Sequence, residues 1–112
     1  MRAIDAALAY TRALGTRSLP VPEWKVDEAG TPLVVYWKPL TLAEREKLFA
    51  GGDLKLTSYA DVLVAKALDA AGEKMFSLED APKLRLAVES GVIQRIALAI
   101  LATPRLEDVE KN

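Results

Sequence analysis

The side chains of this chain that could do chemistry are carboxylates, a few hydroxyls and one glycine-rich turn. Acidic neighbours occur at Glu44/Glu46, Glu79/Asp80 and Glu107/Asp108. Two carboxylates facing each other across a cleft can divide acid and base work between them. Each of these pairs is instead local in sequence: at a helix start, on a helix surface or in the terminal segment. A carboxylate near a helix N-terminus serves the helix dipole and solubility, and that accounts for them. Gly51-Gly52-Asp53 suggests a phosphate loop, yet no Gly-Lys-Ser/Thr follows and no strand delivers it, so it reads as a turn. The chain contains no histidine, so Ser58 and Ser77 have no imidazole to activate them, and both stand where helix caps are needed. Cysteine is absent too, which removes thiolate nucleophiles, disulfides and the usual sulfur metal ligands. The expectation is a protein that is not an enzyme and uses no metal or cofactor.

Composition narrows the partners in the same direction. The 112 residues are 51% hydrophobic and 28% charged, enough apolar material for one domain with its own core. Fifteen basic residues against 16 acidic ones leave a formal net charge of −1, which supplies no electrostatic pull toward nucleic acid or an anionic membrane. Asp5 and Arg12 fall inside the only N-terminal stretch that a signal peptide's apolar region could occupy. No apolar run approaches the length of a membrane span. A soluble, cytoplasmic protein is expected.

Periodicity places the elements. Residues 2–14 form an alanine-rich amphipathic helix with Ile4, Ala7, Leu8, Thr11 and Leu14 on one stripe, stopped by Gly15. The segment TRSLP reads as a linker. Residues 21–38 read as a β-hairpin turning at Asp27-Glu28-Ala29-Gly30, with Trp24 across from Val34 and Val26 across from Pro32. Its second strand is apolar on both faces through Leu33, Val34, Val35, Tyr36 and Trp37, so something should cover it. Thr41 to Glu44 is a capping-box sequence opening a short helix to about Phe49, closed by Gly51-Gly52.

Residues 59–71 are apolar over most of the circumference, with only Asp61, Lys66 and Asp69 charged, and read as a covered helix capped by Thr57 or Ser58 and stopped by Gly72. A Met75-Phe76 hook follows, then a second capping pattern at Ser77 and Asp80. A turn at 78–81 and a helix from about Pro82 come next, recapped at Ser90-Gly91. The last helix should bury Val92, Ile93, Ile96, Ala97, Ile100 and Leu101, leaving Leu98 near Gln94 on the wet face. Pro104 ends it, and residues 105–112 read as a mobile tail. The fold class expected is α+β and mostly α-helical: one small helical domain over residues 1–104 with a hairpin near its N-terminus.

The hairpin with VPEW, then KPLTLAEREKL, then an apolar helix running into DAAGEKMFSLEDAPKL, then AVESGVIQRIALAIL, resembles the tail assembly chaperones of long-tailed bacteriophages and prophages. The resemblance spans about residues 20–102 and lies in the order and spacing of the elements. An acidic residue and a glycine before an aromatic hook fit that pattern, here Asp69 and Gly72 before Phe76. It implies a non-enzymatic homo-oligomer in the cytoplasm of the bacterial host, absent from the mature virion. Such a protein coats the tape measure protein and helps recruit the tail tube protein. It also implies a longer form made by ribosomal frameshifting, and Glu110-Lys111-Asn112 can be encoded GAA AAA AAC, which contains the slippery heptamer A AAA AAC.

Under this reading the client contacts are Trp24, Val35, Trp37, Leu40 and Leu98, acting as a hydrophobic shield. Core packing of the hairpin aromatics is the competing expectation. A head-to-tail joining or minor tail component is the alternative within the same system. A helical DNA-binding regulator is weaker, because Lys83 and Arg85 are accompanied by Glu79, Asp80 and Glu89. Single-strand stacking on the aromatics is weaker still, with Lys25 and Lys38 too few for a basic groove.

Overall fold

A computed structural model describes residues 2–49 and 58–104. The fold is a small, mostly helical α+β arrangement with a two-stranded antiparallel hairpin near the N-terminus. Helix α1 (Ala3–Leu14) leads into β1 (Arg17–Lys25) and β2 (Pro32–Trp37), followed by α2 (Leu42–Leu48), α3 (Ser58–Lys66), a 3₁₀ turn (Leu78–Asp80), α4 (Ala81–Leu86) and α5 (Ser90–Leu101). The expected glycine turn at 51–52, the Thr57 cap and the tail at 105–112 lie outside the described residues.

The core forms where two apolar helices meet. Leu63 and Val62 of α3 and Ile96 and Ile100 of α5 are fully buried, with Val21 and Val35 of the hairpin closing the cluster. Burying a branched aliphatic side chain contributes about 1.5–3 kcal/mol, so this cluster is the main source of stability. On α5 the buried set is Val92, Ile93, Ile96, Ala97, Ile100 and Leu101, the 3.6-residue stripe expected from sequence, and Leu98 is exposed.

The hairpin departs from the expected geometry. The TRSLP segment is strand rather than linker, because β1 begins at Arg17 and pairs Arg17 with Trp37, Leu19 with Val35 and Val21 with Leu33. The ladder then jumps from Val21/Leu33 to Lys25/Pro32, so Pro22, Glu23 and Trp24 bulge from β1. Val34 therefore faces Pro20 instead of Trp24, and Pro32 faces Lys25 instead of Val26. Pro22 has no N–H to donate to a ladder, and a bulge is where a strand tolerates it. The turn itself closes as anticipated in kind: Gly30 takes φ 83, and the Asp27 carboxylate accepts the Thr31 N–H at 3.0 Å.

The second correction concerns residues 67–75. The helix expected to reach residue 71 ends at Lys66, and Leu68 leaves it to exchange backbone hydrogen bonds with Tyr36 (2.7 and 2.9 Å). Asp69 directs this change. Its carboxylate accepts the N–H groups of Ala71 and Glu73 at 2.9 and 3.0 Å, a local alternative to helical bonding. Gly72, at φ 84, lets the chain reverse so that the Met75 N–H returns to the Ala67 carbonyl. The covering that β2 needed is thus partly a backbone bridge on its outer edge at Tyr36.

Two short elements are held by side chains at their N-termini. Thr41 accepts the Glu44 N–H and Glu44 accepts the Thr41 N–H, a full box; ahead of α4 the Asp80 carboxylate likewise accepts the Ser77 N–H at 2.9 Å, while the Asp80 N–H goes to the Ser77 carbonyl. Glu44 also binds the Lys66 ammonium, tying α2 to the end of α3. Burial pushes the Glu44 carboxyl up, but Lys66 and the Thr41 N–H outweigh it and hold it below its ordinary value. Glu44→Ala removes the cap and the tie together. The expected loss is about 1–2 kcal/mol, read as a lower urea midpoint, with Glu44→Gln recovering the cap but not the ionic contact.

Candidate interaction surface

An open groove of about 500 Å³ lies between α1, the end of β2 and the end of α5. Its lining comes from Tyr10, Thr11 and Leu14 of α1, Arg17 of β1, Trp37 at the end of β2, Pro39 and Leu40 of the connection to α2, Arg45 of α2, and Ala99, Ile100, Ala102, Thr103 and Pro104 around the end of α5. Local features place several of them. Pro39 ends the strand, and the Thr41 cap turns the chain immediately after Leu40. Arg45 of α2 spans to the Leu101 carbonyl at 2.8 Å, satisfying one of the acceptors that a helix end leaves open. Arg17 and Arg45 are the charged side chains lining the groove. A second hollow of about 210 Å³ lies between α3, α4 and α5, lined by Tyr59, Leu84, Val88 and Ile93.

The five expected contact residues do not form one patch. Val35 is fully buried and belongs to the core, so it is withdrawn as a contact residue, while Trp37, 7% exposed, packs in the core and also lines the groove. The period-2 pattern explains why: the strand face carrying Leu33, Val35 and Trp37 is the one turned to α3 and α5. Trp24 is half-buried and meets Phe76 edge-on at 6.4 Å, so the aromatic hook lands on the hairpin bulge. Leu40 is half-buried on the groove wall, and Leu98 is 47% exposed, one residue before Ala99 on α5. Trp24, Leu40 and Leu98 keep exposed surface and can meet a partner without unfolding the core.

Other exposed apolar residues escaped the sequence reading. Leu42 and Leu78 are 74% and 83% exposed, and each directly follows the capping Thr41 or Ser77. That position was a usable signal: the first residue after a cap starts the helix on its outer side in both cases. Leu86, at the end of α4, is 86% exposed and had no such mark.

One ion pair fixes the bulge against α5. Arg95 donates to both Glu23 carboxylate oxygens at 2.6 Å, a bidentate arrangement. The Arg95 guanidinium lowers the Glu23 carboxyl from 4.5 to about 2. A carboxyl depressed in the folded state contributes stability that is fully present above its unfolded value and is lost as pH falls through about 2. Comparison with Glu23→Gln should therefore show a small stability difference that is constant above pH 5, shrinks through the acid range and weakens with added salt. A difference that grew on acidification would contradict the assignment.

Among the described residues no cluster of three or more acidic side chains could hold a metal ion. No helix described is long and apolar enough to cross a membrane. No family model, curated protein or solved structure matches the chain.

Proposed function

We propose that this protein is a tail assembly chaperone of a long-tailed bacteriophage or prophage, which binds the tape measure protein and promotes assembly of the tail tube. It acts in the host cytoplasm, without catalysis, ATP, metal or cofactor, by covering apolar helical surface of its client until tube subunits replace it. The observation that carries the reading is the groove bounded by α1, Leu40 and the end of α5; Leu98 is exposed on the same helix, outside the groove lining. A groove that sets Leu14, Trp37, Leu40 and Ile100 beside Arg17 and Arg45 suits an amphipathic helix laid along it. The order of hairpin, capped helix, apolar helix, aromatic hook and final helix supports the same reading through its resemblance to that family.

A head-to-tail joining or minor tail component would use the same apolar surface but stay in the particle. Mass spectrometry of purified virions separates the two. The chaperone is expected in lysates of assembling cells and absent from mature particles. A fixed number of copies per virion would overturn the chaperone reading in favour of a structural component.

A further inference from the structure

Helix α1 is 12 residues long, and every residue from Arg2 to Ala13 is exposed; only Leu14, at its end, is buried. A helix this short is marginal in water without an apolar face packed on something. It nevertheless carries such a face. Ile4 is 51% and Leu8 49% exposed, and Ala7 and Thr11 continue the stripe at helical spacing. The Thr11 hydroxyl is turned back onto the Ala7 carbonyl at 3.0 Å, which leaves its methyl group for the apolar side.

The charges beside the stripe say what covers it. At 100° per residue, Asp5 and Arg12 fall on the same flank of the Ile4–Leu8 line, seven positions apart. When two helices pack antiparallel about a two-fold axis, the same flank of each faces its counterpart in the other. An axis passing near Leu8 and Ala9 then sets Asp5 of one copy against Arg12 of the second, and Arg12 against Asp5. In a parallel pair this flank would meet the side holding Ala3, Ala7 and Tyr10, which offers no charge. We infer that α1 is a self-association helix, pairing antiparallel with α1 of a second copy through Ile4, Leu8 and Thr11 and in register through two Asp5–Arg12 contacts.

Thr11 also lines the groove proposed above, whereas Ile4, Asp5, Leu8 and Arg12 lie outside it, so the pairing is tested on the chain alone through those residues and can fail without the chaperone reading. Two helices about 18 Å long bury well under the area of a standard interface, so the dimer is weak and concentration-dependent. The full chain is to be examined by sedimentation velocity from about 1 μM to about 1 mM, with helix content followed by circular dichroism over the same range. A reversible dimer is expected, with helix content rising as it forms. Leu8→Glu should weaken it by about tenfold or more, with an unchanged thermal midpoint because the side chain lies outside the core.

Asp5→Arg and Arg12→Asp should each weaken the dimer about threefold to fivefold by opposing like charges twice in the symmetric pair. The double variant should recover most of that loss, although it compensates the helix dipole less well than the original residues. A monomer at all concentrations, a dimer indifferent to the single reversals, or a double variant no stronger than the singles would each overturn the inference.

Discussion

Ile96→Ala is expected to destabilise the protein by roughly 2–5 kcal/mol, whereas Leu98→Ala, two positions along the same helix, should change stability by about 0.5 kcal/mol or less. Ile96 is fully buried where α5 crosses α3, so truncation leaves a cavity bounded by Leu63 and its neighbours, which only partly collapses. Leu98 is 47% exposed and loses little on truncation. Because a domain of this size is stable by only about 5–15 kcal/mol, the first change takes a large share of the total. Urea unfolding of the two variants measures both values on one helix. Equal losses at the two positions would mean that α5 is packed in another rotation.

Leu98→Glu carries the largest expected effect on function. A helical client that extends from the groove over the exposed side of α5 would cover this position, and a carboxylate there would have to be desolvated against apolar surface. Binding should weaken about tenfold or more, while circular dichroism and the unfolding midpoint stay near those of the parent. Leu40→Glu should weaken binding similarly, with some loss of stability because Leu40 also rests on the core. If Leu98→Glu left client binding unchanged, contact would lie elsewhere, and the hollow lined by Tyr59, Leu84 and Ile93 would be the next surface to alter.

What could be read from the sequence follows the range of the interactions involved. The α5 stripe, the Thr41–Glu44 capping box and the Asp80 carboxylate on the Ser77 N–H depend on residues within a turn or two of each other, and they stand as expected. The hairpin turn at Asp27 and Gly30 is equally local. The register of the hairpin is not, because Pro22 obliges a bulge and the bulge is then used by Glu23 and Trp24 to reach Arg95 and Phe76. Those partners are remote in sequence, so a uniform ladder was the natural expectation.

The end of α3 shows the same conflict between local and distant demands. Residues 67–71 have the composition of a helix, but the outer edge of β2 offers Leu68 backbone partners, and Asp69 supplies a side-chain substitute for helical bonding. Asp69 and Gly72, which the family resemblance singles out, thus have a structural task in building that turn.

The candidate surface was only partly legible. Hydrophobicity alone could not separate Val35 and Trp37, which face the core, from Leu98, which faces solvent, because both strand faces are apolar. The exposure of α1 was hidden for the opposite reason: its stripe is well formed, and a well-formed stripe ordinarily implies burial within the same chain.

Co-expression of the full chain with the tape measure protein encoded in the same genome, followed by affinity capture of either partner, tests the central proposal most directly. The expected result is a soluble, stoichiometric complex that keeps the tape measure protein from aggregating and is lost with Leu98→Glu. A tape measure protein that precipitates regardless, with the folded protein left alone in solution, would contradict it.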